Sequence, residues 1–288
     1  TLPCTFAALW LGLRWLRTGA PGSLLAAAFA AGLALYAKLL AVWVIGPFVL
    51  LVAGWFLLRR GKKGAAIRPT AITLPHLSLP ALLGAGAVGL LPLLPLLIFN
   101  VKSGGTFASI GGNLGSSYYG VENAALLSNL SVRLGQIVGV LRGDHLWYLG
   151  GVYANSAAPW LAAGGLVAAL AHPKGRERLL PPLALAGLGV GASLFTVSDL
   201  FITHYALLHP LFVALVALVF AWLYEWCRAR FPLLFLLPLA LVALWLGGDL
   251  TASLAYHQAL ARSGGLADHS DASYHLAYHL RYNGLGAP

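Results

Sequence analysis

Lys38 stands inside an apolar run that extends from Leu24 to Leu58. An ammonium in such surroundings either snorkels to a headgroup region or holds an anion. His204 follows Asp199 in a short loop predicted between two apolar runs. An imidazole near a carboxylate can donate to an anion, orient a polar ligand or move a proton near neutral pH. Tyr118, Tyr119 and Glu122 close a stretch carrying Gly104, Gly105, Gly111, Gly112 and Gly115, with Asp144 further on. This composition predicts a mobile, aromatic-bearing loop of the kind that closes over a substrate, although interfacial aromatics and solvated acids account for each residue singly. His275 and His279 stand four apart near Asp268, His269 and Asp271. That spacing suits two ligands on one helix face, but no matched third ligand accompanies it. No cofactor is identified; a divalent cation is the one candidate, and it has no ligand set.

The elements that must position these residues are apolar. Hydrophobic residues make up 59% of the chain and charged residues 9%, with a mean hydropathy of +0.81, whereas soluble domains carry roughly 25% charged residues. The expected fold class is all-α, a polytopic transmembrane helical bundle. A closed barrel would show short alternating strands rather than long runs of Leu, Ala, Val and Gly. Spans are predicted over 1–13, 23–36, 39–58, 79–99, 157–171, 179–197, 205–223 and 231–246, about eight in all. An unbroken helix from Leu24 to Leu58 would be about 52 Å long, too long for one crossing. The run is therefore split near Tyr36 to Lys38, which puts Lys38 in a tight turn. The chain starts at Thr1, contains no Met and enters an apolar helix at once, so it is expected to be a piece cut from a longer protein. Cys4 and Cys227 are assigned to opposite faces, and each reads as a small buried hydrophobe.

Charge orients the bundle. Alternation of the spans puts Arg14, Arg17, Arg59, Arg60, Lys62, Lys63, Arg68, Lys174, Arg176, Arg178, Arg228 and Arg230 on one side with Glu177 and Glu225, a net of +10. The other side holds Lys38, Lys102, Arg133, Arg142, Arg262 and Arg281 against Glu122, Asp144, Asp199, Asp249, Asp268 and Asp271, a net of zero. By the positive-inside rule the first side is cytoplasmic. The basic pI is then a topology signal, and no nucleic-acid partner is called for. Trp15, Trp55, Trp147, Trp222, Trp226 and Trp245 fall near span ends or in the outer loop, where an aromatic belt accounts for them.

Two segments remain outside, 100–155 and 247–288. The domain organisation expected is thus a transmembrane bundle over 1–246 with the outer loop 100–155 inserted, followed by the beginning of an extracytoplasmic C-terminal region over 247–288. In the outer loop Leu126, Leu127, Leu130, Leu134, Ile137, Val138 and Leu141 fall at helical spacing, with Asn129, Ser131, Arg133, Gln136 and Arg142 on other faces. They predict an amphipathic helix that lies flat in the interface or packs on the bundle. Asn129 to Ser131 also spells an N-glycosylation triplet, too common by chance to carry weight. In the tail, Ser270 is a plausible N-cap for a helix near Asp271 to Arg281, stopped by Asn283 and Gly284.

Four stretches resemble the bacterial C-class membrane glycosyltransferases, the superfamily of protein mannosyltransferases and aminoarabinose transferases. Gly32-Leu-Ala-Leu-Tyr-Ala-Lys38 is similar to a helix, turn and lysine of that group. Pro95 through Asn100, followed by Ser103-Gly-Gly-Thr-Phe107, resembles its helix end running into an outer loop. His204-Tyr205 with Pro210 resembles a His at a helix mouth with a Pro one to two turns on. Gly264-Gly265 through Ser270-Asp271 to Leu280 resembles the start of an extracytoplasmic domain. The resemblance implies sugar transfer from a polyprenyl-phosphate-linked donor to an acceptor at the outer face of a bacterial plasma membrane. It makes Lys38, His204, Asp199, Tyr118, Tyr119 and Glu122 substrate-binding candidates and membrane lipid a partner. The acidic residue that such enzymes use lies in a first outer loop that nothing here matches. It is expected upstream of Thr1, so the chain alone is expected to be inactive and to contain no catalytic residue.

The alternative is a polytopic transporter or flippase subunit. Such a protein should show internal repeats and ionisable residues near the bilayer midplane. No repeat is evident, and the predicted spans keep charges at their ends. A purely structural scaffold fits poorly with two long outer segments.

Overall fold

The computed structural model describes residues 1–60, 78–115, 122–144, 152–196, 207–230 and 233–263, together with Leu276, His279 and Leu280. Among them there is no strand. The helices are α1 (Leu2–Thr18), α2 (Pro21–Ala37), α3 (Val42–Arg60), α4 (Leu79–Leu90), α5 (Leu94–Ser103), α6 (Gly105–Gly115), α7 (Leu126–Arg142), α8 (Ala158–Ala171), α9 (Pro173–Ser193), α10 (His209–Arg230) and α11 (Leu236–Ser263). Short 3-10 turns at Leu39–Ala41, Leu91–Leu93 and Leu194–Thr196 lead into α3, join α4 to α5 and follow α9.

Each of the eight predicted spans holds helix, but length and composition support fewer crossings. Four helical stretches among the described residues are long and apolar enough to cross a membrane: Leu39–Leu58, Leu79–Ser103, His209–Arg230 and Leu236–Arg262. Pro21–Ala37 and Ala158–Ala171 are apolar but shorter. α8, with 14 residues, is about 21 Å long against a hydrocarbon core of about 30 Å. α9 opens on Lys174, Arg176, Glu177 and Arg178, which leaves too little of it apolar. Counting apolar runs alone treats every such run as a crossing.

The chain divides into two compact units, Thr1–Ser131 with Pro182–Leu211, and Val132–Pro181 with Phe212–Pro288. In the first, α1 and α2 form a hairpin. Gly19 takes the left-handed conformation (φ 68°) and its N–H reaches the Trp15 carbonyl at 2.7 Å, while Pro21 starts α2 with φ already fixed. Trp15 stacks on Phe56 with ring centroids 6.2 Å apart. That contact brings the end of α1 bearing Arg14 and Arg17 to the end of α3 bearing Arg59 and Arg60. A Cβ built on Gly32 would overlap the carbonyl oxygen of Gly89, so α2 and α4 cross backbone against backbone, as small residues permit in apolar surroundings. Trp15 is buried, and in the second unit Trp222 is buried against His172. Packing, rather than a belt, accounts for these two.

In the second unit, α8 passes through His172, in extended backbone (φ −100°, ψ 134°), into the start of α9 at Pro173. His172 contacts the rings of Trp222 and Trp226, and Arg178 pairs with Glu225. These contacts gather Lys174, Arg176 and Arg178 with Arg228 and Arg230 at one end. Within each unit, then, the basic segments that charge alternation assigns to one side come together.

Two sequence expectations are corrected. Over Gly105–Gly115 the chain is helical, not a loop. Gly104 ends α5 at φ 66°, the Ser103 hydroxyl oxygen accepts from the Gly105 N–H, and the Asn100 side-chain oxygen accepts from the Phe107 N–H at 2.9 Å. These bonds satisfy two of the orphan donors of the new helix and offset its glycine content. The predicted amphipathic helix does exist as α7, but its faces are reversed. Asn129 and Arg133 are 2% and 1% exposed, whereas Leu127 is 85% and Leu134 51% exposed. An apolar environment favours that inversion, because polar groups then seek partners inside the protein. The same logic covers the exposed Leu82, Leu83, Leu90, Leu91, Ile98 and Phe99 on α4 and α5 and in the turn that joins them.

Candidate functional site

α2 ends at Ala37, and Lys38 adopts extended backbone (φ −162°, ψ 119°) before the chain re-enters helix. Its N–H donates to the Ala34 carbonyl at 3.0 Å and its own carbonyl accepts from the Ala41 N–H at 3.0 Å. The backbone is thus satisfied without Gly or Pro at the break. Ala34 and Ala41 on either side are fully buried, while Lys38 itself is half-buried. This is the turn expected near Tyr36 to Lys38. From Pro21 to Ala37 α2 has 17 residues, about 25 Å of helix, so the ammonium sits at the opposite end of α2 from Arg14 and Arg17.

Glu122 lies just ahead of α7 and is exposed. Its backbone is pinned, since the Asn129 side-chain amide donates to the carbonyls of Glu122 (3.2 Å), Asn123 (3.3 Å) and Leu194 (3.0 Å). A buried Asn129 with its nitrogen so engaged is not a glycan acceptor. The start of α7 is therefore tied to the 3-10 turn after α9, with the Glu122 carboxylate left in the open. Of the six substrate-binding candidates, Lys38 and Glu122 both lie in the first unit. Tyr118, Tyr119, Asp199 and His204 lie outside the described residues, as do Asp268, His269, Asp271 and His275. Among the described residues no cluster of three or more His, Cys, Asp or Glu side chains is placed to hold a metal.

The second unit contains a polar constellation that sequence reasoning missed. α11 does not stop at 246. It continues through Gly247 and Gly248 to Ser263, which places Asp249 inside an apolar candidate span. The expectation that charges stay at span ends is corrected at this residue. Asp249 accepts from the Trp245 indole N–H at 2.8 Å through one carboxylate oxygen and from the Asn155 amide at 2.8 Å through the other. Asn155 also donates to the Trp245 carbonyl at 2.9 Å, and its backbone N–H reaches the Arg142 carbonyl at 2.7 Å. A Cβ on Gly248 would stand 2.5 Å from the Asn155 side chain, so that glycine is what lets Asn155 lie against the helix. Tyr153 and Tyr256 pack edge to face at 5.0 Å, and the Tyr256 hydroxyl accepts from the Tyr153 N–H. Arg142 and Asp144 form an ion pair at 3.2 Å. The signal for this site was the Trp245 to Asp249 spacing of one helical turn, which lets an indole donate to a carboxylate.

Asn155 is 4% exposed, so Asn155→Leu leaves one Asp249 oxygen short of a donor. The expected loss is about 1–3 kcal/mol, the usual contribution of a hydrogen bond to a charged group, here the half-buried Asp249 carboxylate. Thermal unfolding of the purified variant in detergent, read against wild type, checks this.

No family model, curated protein or solved structure matches this chain.

Proposed function

We propose that the protein is a membrane glycosyltransferase that moves a sugar from a polyprenyl-phosphate-linked donor to an acceptor at the outer face of a bacterial plasma membrane. The observation that carries the reading is Lys38, held at a helix break about 25 Å along α2 from the basic end of the first unit. A cation at that depth suits a donor phosphate at the outer leaflet, where leaving-group charge must be stabilised. In this reading the basic loops are cytoplasmic, Glu122 and the residues before α8 are extracytoplasmic, and about eight segments traverse or enter the membrane. The short helices cross where the bilayer is thin or the helix is sheltered by neighbours. His204, Asp199, Tyr118 and Tyr119 complete the substrate contacts from the same side.

The test is transfer of radiolabelled sugar from a polyprenyl-phosphate donor to lipid or protein acceptors by the protein purified from its own membrane. Label appearing in an acceptor supports the proposal. Absence of transfer, combined with uptake of a solute into proteoliposomes, rejects it in favour of a transporter. One observation favours that second reading: Asp249 lies within an apolar candidate span, where an ionisable residue commonly marks a transport path. Asp249→Asn then separates the two. It abolishes uptake by a transporter that cycles a proton or cation on Asp249, and it leaves the transferase chemistry assigned to Lys38 in place.

A further inference from the structure

The basic end of the second unit carries a feature that sugar transfer does not use. Trp222 and Trp226 stack with centroids 6.1 Å apart, and His172 lies 5.5 Å and 6.0 Å from the two rings. The Arg230 guanidinium sits 5.0 Å above the Trp226 ring, a cation–π arrangement that fixes the charge in place. The Trp226 indole N–H is buried and meets no acceptor among the described residues. A buried donor of that kind normally finds a partner. The Nδ1 of His172 accepts from the Lys174 N–H at 3.3 Å, so in the neutral ring the proton lies on Nε2, a second donor beside the same indole.

Charge at this end is in surplus. Arg178 is paired with Glu225 and Arg228 donates to the Tyr224 hydroxyl, while Lys174 and Arg176 add two further exposed cations against the one remaining acid, Glu177. The helices leading away from the cluster are apolar and open: Leu218, two turns before Trp226 on α10, and Val167 on α8 are both exposed. Donors and cations at the end of an exposed apolar track match a phosphate group that carries hydrocarbon chains, and they match a free anion less well.

We propose that His172, Trp226 and Arg230 form a binding site for the phosphodiester of an anionic phospholipid, whose acyl chains run along α8 and α10. The His172 Nε2–H and, once the headgroup parts the side chains that enclose it, the Trp226 indole N–H donate to phosphate oxygens, and Arg230 supplies the countercharge from the ring face. The site is separate from Lys38 and Asp249 and does not depend on the reaction the protein performs.

Native mass spectrometry of the purified protein in neutral detergent, titrated with phosphatidylglycerol or phosphatidylcholine of identical chains, tests the site. Wild type is expected to retain one phosphatidylglycerol about tenfold more tightly than phosphatidylcholine. Arg230→Gln and Trp226→Phe, the second of which keeps the ring and removes only the donor, should each reduce that preference about fivefold. Arg17→Gln, on the other unit, should leave it unchanged. Circular dichroism confirms that each variant is folded, and Lys174→Gln, at an exposed position, offers a milder version of the same loss. Equal retention of the two lipids overturns the proposal, as does a preference untouched by Arg230→Gln. Displacement of the lipid by millimolar inorganic phosphate overturns it in favour of a free-anion site.

Discussion

In the protein as purified from its own membrane, Lys38→Ala is expected to lower sugar transfer at least about a hundredfold, the scale on which a single charge-stabilising donor contributes to a polar transition state. The backbone of the turn accounts for why the loss should be chemical. Its main-chain hydrogen bonds run from the Lys38 N–H to Ala34 and from the Ala41 N–H to Lys38, and alanine reproduces them. Folded yield and helicity should therefore match wild type while kcat falls. Lys38→Arg should recover part of the rate, because the charge is kept and only its reach and shape change. Initial rates with a polyprenyl-linked donor, measured beside thermal unfolding, separate the two effects. Wild-type transfer by a folded Lys38→Ala protein would remove this residue from the site.

Gly32→Ala is expected to have the second largest effect, and on stability. A methyl group there overlaps the Gly89 carbonyl oxygen, and a backbone atom in a packed helix cannot step aside as a flexible side chain can. The α2 and α4 axes must separate. Overpacking of this kind costs about 1–3 kcal/mol or more, and the separation also loosens the base from which Lys38 projects. Gly22→Ala is the matched control, since nothing lies within 4 Å of a Cβ at that position. The measurement is the fraction of monodisperse protein recovered after graded heating in detergent. Gly32→Ala should be lost well below the wild-type midpoint, and Gly22→Ala should track wild type.

Much of the helical plan was legible because apolar runs and breaks are written locally. The division of Leu24 to Leu58 near Lys38 followed from length, together with the charge rule that puts Arg14 and Arg59 on one side, and the structure breaks there. The grouping of basic segments followed from alternation, and the Trp15 to Phe56 stack and the Arg178 to Glu225 pair bring the corresponding segments together. What sequence missed depends on partners distant along the chain. Gly247 and Gly248 read as the end of a helix. Their tolerance comes from Asn155, more than ninety positions away, which packs on Gly248 and binds Asp249. The glycine-rich stretch after Ser103 read as a loop because propensity disfavours glycine in helices, yet the caps from Asn100 and Ser103 decide otherwise. α7 was recognised by its period, but periodicity does not say which face turns inward. Leu127 would be buried in a water-soluble protein, and Asn129 and Arg133 are buried in this one.

The proposal stands on Lys38 and Glu122 facing the side opposite the basic loops, and one measurement tests that sidedness directly. With Cys4 and Cys227 replaced by alanine, Glu122→Cys and Lys174→Cys are each introduced singly, and sealed membrane vesicles of known orientation are treated with a membrane-impermeant maleimide. The account predicts that position 122 is labelled only from the extracytoplasmic face and position 174 only from the cytoplasmic face. Labelling of both positions from the same face would contradict it.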